Sequence, residues 1–287
     1  MSYSQNIKVF EEWASRDGTQ NFFIKAAVAT DLYENVYVAG ATLNASGDYD
    51  ILLTKYNGSG DVVWTDQYDG AGHGDDAAFA LTVDINENVF LTGSVWINAA
   101  DSNDVITIAY DSAGNRDWVE IWGGNHGGND AGTCIVLDAD TIYVGGFVSD
   151  TNTGAYYQGS NAGSNSSDII LMKFSKANEL EWSTFYGSNT NDEVFEITCN
   201  YSTGQNKTGT NPPGDIFIVG STAKTSTTTS CSATAPANGD FPLCNASGTS
   251  DYFQAGSGSF ISRFNNDGAQ LWSSNVSNIK EFQSITC

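Results

Sequence analysis

Asp84-Ile-Asn-Glu-Asn-Val-Phe-Leu-Thr-Gly93 decides the fold, because the same pattern occurs elsewhere in the chain. It stands 53 residues (84 − 31) after Asp31-Leu-Tyr-Glu-Asn-Val-Tyr-Val-Ala-Gly40. It returns as Asp138-Ala-Asp-Thr-Ile-Tyr-Val-Gly-Gly146 and, less fully, as Asp215-Ile-Phe-Ile-Val-Gly220. A second element accompanies each copy. Asp50-Ile-Leu-Leu-Thr-Lys-Tyr56 is followed by Gly60 and Trp64, and Asp104 to Tyr110 by Gly114 and Trp118. Asp168 to Phe174 is followed by Asn178 and Trp182, and Phe260 to Phe264 by Gly268 and Trp272. Several residue types at fixed offsets mark one supersecondary unit repeated along the chain.

Each unit reads as four short strands, A to D. Strand A is Phe79–Val83, Cys134–Leu137 and Phe195–Cys199; B is the Val-Tyr-Val run, C the Ile-Leu-Leu run, and D carries the Trp. B and C are continuous apolar runs of β-branched and aromatic residues, as expected of strands covered on both faces. A Gly or Asn turn of constant length joins C to D, which is a hairpin signal. Helical periodicity is nearly absent, and Ile7 to Ala14 aligns with the Trp64 strand as a further strand D. A four-stranded unit of this length that must stack on copies of itself is a β-propeller blade. The expected fold is therefore an all-β propeller of four-stranded antiparallel blades. Complete blades fall at about 22–68, 77–122, 132–186 and 193–274, with lone strands at 8–14 and 283–287. The chain starts and stops inside a repeat, which suggests part of a larger ring. The recurring Trp64, Trp118, Trp182 and Trp272 are expected to pack between blades.

Composition narrows the function classes. The 287 residues carry 11 basic and 34 acidic side chains, a net charge of −23, with 40% hydrophobic residues and 30 glycines. That content buries a core, and the acidic excess repels nucleic acid and anionic membrane surfaces. No apolar run approaches the ~20 residues needed to span a bilayer. Residues 1–20 show no signal peptide, so a secreted protein would carry its signal upstream or have lost it.

The combination Asp-x-x-x-Asn-Val-Tyr-Val-x-Gly, Asp-Ile-Leu-Leu-x-Lys-Tyr, Gly-x-x-x-Trp and Gly-x-x-x-Asp-Asp/Glu resembles the SBBP repeat, over nearly the whole chain and most weakly across 200–258. That repeat builds β-propellers in bacterial secreted and surface proteins. The resemblance implies the propeller fold and an extracellular or cell-surface setting, and it carries over no catalytic residues. A more distant similarity to the PQQ-type propeller repeat rests on Gly-x-x-x-Trp alone and lacks the paired cysteines of quinoprotein dehydrogenases.

Propeller geometry sorts the connections. A–B and C–D turns lie on one face and are expected to be short and nearly constant. B–C and D–A connections open on the other, and the B–C loops vary: about 43–49, 96–103, 149–167 and 222–257. All four prolines lie between 212 and 242, just before or within the longest loop. Loops beyond ~12–15 residues are uncommon unless functional or disordered. The B–C/D–A face is thus the expected working face, with Tyr156, Tyr157, Tyr252 and Phe253 as contact aromatics for a protein or glycan.

His73 and His126, the only histidines, stand 53 residues apart (126 − 73) in D–A loops, where turn chemistry competes with a ligand-binding role. Asp50, Asp104 and Asp168 open strand C toward that face. With Asp76, Asp130 and Asp192 they offer oxygen ligands to Ca²⁺, although acceptance of loop N–H groups is the simpler expectation. No other cofactor is implied. Cys231 and Cys244 bracket a loop that a disulfide would staple in an oxidising compartment, whereas Cys134, Cys199 and Cys287 read as small apolar strand residues. No nucleophile–base–acid motif is present. The residues point to a non-enzymatic extracellular binding or adhesion module. The rival readings are a carbohydrate-active hydrolase or lyase using carboxylates on the same face, and a structural spacer.

Overall fold

A computed structural model describes residues 26–123, 127–149, 167–187, 190–200, 214–222 and 258–275. Sixteen strands make four antiparallel sheets, each in the order A-B-C-D. The first holds β1 (Ala27–Thr30), β2 (Val36–Leu43), β3 (Tyr49–Tyr56) and β4 (Val62–Tyr68). The second holds β5 (Ala77–Val83), β6 (Val89–Asn98), β7 (Ser102–Tyr110) and β8 (Arg116–Trp122). In the third are β9 (Ala131–Asp138), β10 (Thr141–Val148), β11 (Asp168–Ser175) and β12 (Leu180–Tyr186). The fourth comprises β13 (Asp192–Cys199), β14 (Ile216–Thr222), β15 (Gly258–Phe264) and β16 (Gln270–Asn275). Among the described residues no helix is long and apolar enough to cross a membrane. The lone strands expected at 8–14 and 283–287 lie outside the described residues, as do Cys231, Cys244 and Cys287.

Consecutive sheets stack through their A strands, β1 against β5, β5 against β9 and β9 against β13. This is the blade-on-blade packing of a β-propeller. It explains why strands B and C are apolar without alternation. Successive side chains of a strand point to opposite faces, and here each face meets a different blade. Val89 and Leu91 of β6 and Ile106 and Ile108 of β7 join the core shared with Tyr37, Ile51 and Leu53 of the first blade. Phe90, Val105 and Ala109, one residue out of phase, join the core shared with Ile142, Val144 and Met172 of the third. A third core joins Tyr143, Ile169 and Leu171 to Ile216, Ile218 and Phe260 of the fourth.

Trp64, Trp118 and Trp182 each tie their blade to the next. The indole N–H groups of Trp64, Trp118 and Trp182 donate to the carbonyls of Ser112 (3.3 Å), Lys176 (3.0 Å) and Asn266 (2.9 Å), all in the C–D turn of the following blade. Trp64 also stacks on Tyr110, with centroids 6.3 Å apart and planes 18° from parallel. The turn is built to receive it. Asn57 accepts the N–H groups of Ser59 and Asp61 on its side-chain oxygen, and Asp111 and Asn265 repeat the device. Gly114 then takes a φ of +86°, and a Cβ on it would stand 2.6 Å from the Trp64 ring. In the third blade Asn178 holds that left-handed position at φ +67°, a conformation Asn tolerates.

Two expectations about connections need correction. The fourth A–B connection is not short, because β13 ends at Cys199 and β14 begins only at Ile216. The second B–C loop is shorter than read, because β6 and β7 extend to Asn98 and Ser102 and leave only 99–101 between them. Strand A also starts earlier than its apolar run suggests, at Ala77, Ala131 and Asp192. The backbone at these starts is held from the neighbouring blade.

Candidate functional site: the acidic seams of the B–C/D–A face

The seams between blades are closed at this end by a recurring backbone bond. The N–H groups of Asp76, Asp130 and Asp192 donate to the carbonyls of Tyr49 (2.6 Å), Asn103 (2.7 Å) and Ser167 (2.8 Å), at or next to the start of strand C in the preceding blade. The carboxylates then reach into their own blade. Asp76 accepts the Trp96 N–H on Oδ1 at 2.8 Å, and Asp130 accepts the Ser149 N–H on Oδ1 at 3.0 Å. Repeated acids therefore sit here because buried backbone donors at strand ends require an acceptor.

The six expected metal ligands do not form one cluster; they are spread over three seams. The first brings Asp50 and Asp76 together with Asp69, one oxygen of each lying within 4.8 Å of the others. Asp50 is saturated by the side-chain amides of Asn44 (2.8 Å) and Gln67 (2.6 Å). Asp76 accepts the Gly70 N–H at 2.6 Å in addition to Trp96. Burial pushes the Asp76 carboxyl up to about 6, against the lowering effect of those two amide bonds. Asp69 is the exposed member and bonds His73 Nδ1 at 2.9 Å. That hydrogen bond, and then the Asp69 charge, raise the imidazole above its ordinary value. His73 takes φ +51° and its side chain is 74% exposed, so it projects from a turn while its partner anchors it.

The other seams differ. In the second, burial and then the Asp101 charge raise Asp104 to about 6. In the third, burial and then the Asp192 charge raise Asp168 to about 8. Asp69 was invisible to the repeat pattern because the equivalent positions, five residues after Trp118 and Trp182, are Gly123 and Gly187. Only its neighbour His73, four residues on, gave a signal, through its recurrence as His126 one period later. His126, Tyr156, Tyr157, Tyr252 and Phe253 lie outside the described residues, as does the proposed Cys231–Cys244 pairing. Cys134 and Cys199 are buried thiols, with Sγ 3.6 Å from the Gly145 carbonyl oxygen and 3.8 Å from that of Leu137. No disulfide joins two described residues.

No protein-family model matches the chain, and no curated protein matches it. Among solved structures it is similar to an α-L-arabinofuranosidase from Fusarium graminearum, at 9% identity and a TM-score of 0.44, over 91% of this chain and 83% of that one. It is also similar to a tail fibre of Staphylococcus aureus phage P68, at 10% identity and a TM-score of 0.24, over 68% of this chain and 46% of that one. At such values neither likeness carries a functional argument. The sheet order and the stacking described above establish the propeller.

Proposed function

We propose that the chain is a non-enzymatic extracellular or cell-surface binding module that presents its B–C/D–A face to a protein or glycan. One contrast carries this reading. Every seam is pinned by the same backbone bond at the root of the loops, while the B–C connections vary freely: 44–48, 99–101, 149–167 and 223–257. On the opposite face the C–D turns are nearly invariant at 57–61, 111–115, 176–179 and 265–269. A fixed frame under variable loops is how scaffolds support recognition. The commitments of the first-seam carboxylates weigh against the hydrolase reading. Asp50 and Asp76 are 3% and 0% exposed, and both oxygens of each already accept a hydrogen bond. A general acid or nucleophile needs a free oxygen facing substrate. The extracellular setting is supported by the SBBP-like repeat and by the Cys231/Cys244 spacing.

Deleting residues 225–255 tests the assignment of the face. The shortened chain is expected to melt at the same temperature as the full chain and to lose its partner, since β14 and β15 pair along their whole length, from Ile216 opposite Phe264 to Thr222 opposite Gly258. Undiminished partner binding by the deletion chain refutes the site.

A further inference from the structure

Among the described residues one asparagine is followed by glycine: Asn57, before Gly58. The pair opens the C–D turn of the first blade, where Gly58, Ser59 and Gly60 are exposed. An Asx turn folds the Asn57 side chain over the peptide that follows it. Its Oδ1 accepts the N–H groups of Ser59 and Asp61, both at 2.9 Å, and its Nδ2 donates to Asp61 Oδ2 at 3.1 Å. Two donors on one carbonyl oxygen polarise Cγ and stabilise the charge that builds on that oxygen when a nucleophile adds.

The nucleophile that can close a ring on Cγ is the Gly58 nitrogen. Its N–H makes no hydrogen bond to a described residue, and glycine brings no Cβ to crowd the ring. Neighbouring candidates each lack one of these features. Asn44 and Asn265 have the same acceptor geometry, Oδ1 taking the N–H groups of Ser46, Gly47 and Asp48 or of Asp267 and Ala269. They are followed by Ala45 and Asn266. In Asp69-Gly70 and Asp267-Gly268 the glycine N–H is already given, to Asp76 Oδ2 at 2.6 Å and to the Asn265 carbonyl at 3.0 Å.

We propose that Asn57 is a site of spontaneous deamidation through a succinimide formed with Gly58. The Gly58 nitrogen bonds to Asn57 Cγ and the Cγ–Nδ2 bond breaks. Solvent carries the Gly58 proton to Nδ2, which departs as ammonia. Water then opens the imide at either carbonyl. Opening at Cγ leaves an ordinary aspartate, and opening at the main-chain carbonyl leaves an isoaspartyl link. The two products act differently on the turn. Asp111 holds the Asn57 position in the second blade and accepts the Ala113 and Asn115 N–H groups at 2.9 and 2.8 Å, so the turn is compatible with aspartate. In the isoaspartyl product the former side chain has become main chain, and the acceptor for Ser59 and Asp61 is carried out of place. The β3–β4 connection loosens, and with it the tie from Trp64 of β4 to Ser112.

Storage of the full chain in mildly alkaline buffer tests this, read by peptide mass spectrometry, isoaspartyl methyltransferase labelling and thermal unfolding. Gly58→Ala and Asn57→Asp are stored beside it. The expected result is conversion at Asn57 ahead of Asn44 and Asn265, an isoaspartyl label at residue 57, and a Tm that falls as the label grows. Gly58→Ala is expected to lose the conversion. Its Cβ would stand 3.3 Å from Glu34 Cβ, so its fold is checked by its fresh Tm. Asn57→Asp is expected to melt like the fresh parent, which separates the harmless product from the isoaspartyl one without relying on Gly58→Ala. A stored chain intact at Asn57 overturns the proposal. Conversion of Asn44 or Asn265 as fast as Asn57, or undiminished conversion in Gly58→Ala, overturns it as well.

Discussion

At the scale of single residues, the same side chain has different consequences depending on what the neighbouring blade brings. Gly60 and Gly114 both hold φ +86° in equivalent turns, yet a Cβ on Gly60 meets nothing within 4 Å while one on Gly114 strikes the Trp64 ring. Gly60→Ala should cost only the left-handed penalty, about 1–2 kcal/mol. Gly114→Ala should cost clearly more, because the indole must also move; urea unfolding of the two variants measures the difference. Asp168 makes a pH prediction. Burial, and then the Asp192 charge, hold its folded pKa at about 8, well above the ordinary carboxylate value of 3.8. The folded chain therefore retains a proton that the unfolded chain has released, and stability from this group is present below about 4 and lost as pH rises through about 8. Asp168→Asn should flatten that part of the Tm-versus-pH curve and melt higher than the parent at pH 8. The glycines and tryptophans were legible in the sequence because they recur at fixed offsets. Asp69 was not, since it occurs in one copy only, and the saturation of Asp50 depends on Gln67, a side chain whose role appears only across β3 and β4.

At the scale of elements, the strand and turn are specified locally, whereas strand ends are specified by neighbours. The C–D hairpins were readable because Asn57, Asp111 and Asn265 build their own turns from side-chain acceptors. The starts of strand A were not readable, because Asp76, Asp130 and Asp192 are held by carbonyls of another blade. The fourth A–B connection departed from the others because nothing in Asp215-Ile-Phe-Ile-Val-Gly220 records how far upstream strand A ends. The Trp tie between blades can be divided by substitution. Trp118→Phe removes the bond to Lys176 but keeps a ring beside Phe90 and Phe174, and should cost about 1 kcal/mol. Trp118→Ala also empties the ring site and should cost about 3 kcal/mol or more. Equal losses from the two variants in chemical denaturation would show that ring packing contributes little.

At the scale of the molecule, three inter-blade cores and three backbone-pinned seams support one face of nearly constant turns and one of variable loops. The four four-stranded sheets of the described residues were legible, because each repeats two motifs. The proposed working face rests on a contrast in loop length, and Tyr156, Tyr157, Tyr252 and Phe253 lie outside the described residues. Asp76→Ala strands two backbone amides, those of Gly70 and Trp96, at about 1–3 kcal/mol each. A drop in Tm accompanied by faster amide exchange at Gly70 and Trp96 checks this, and an unchanged Tm would remove the seam from the account of stability. The most direct test of the central claim is glycan-array binding by the full chain and by the chain lacking 225–255, each confirmed folded by its melting curve. The account predicts bound glycans for the full chain and their loss in the deletion chain at an unchanged Tm. Full retention of those glycans by the deletion chain would contradict it.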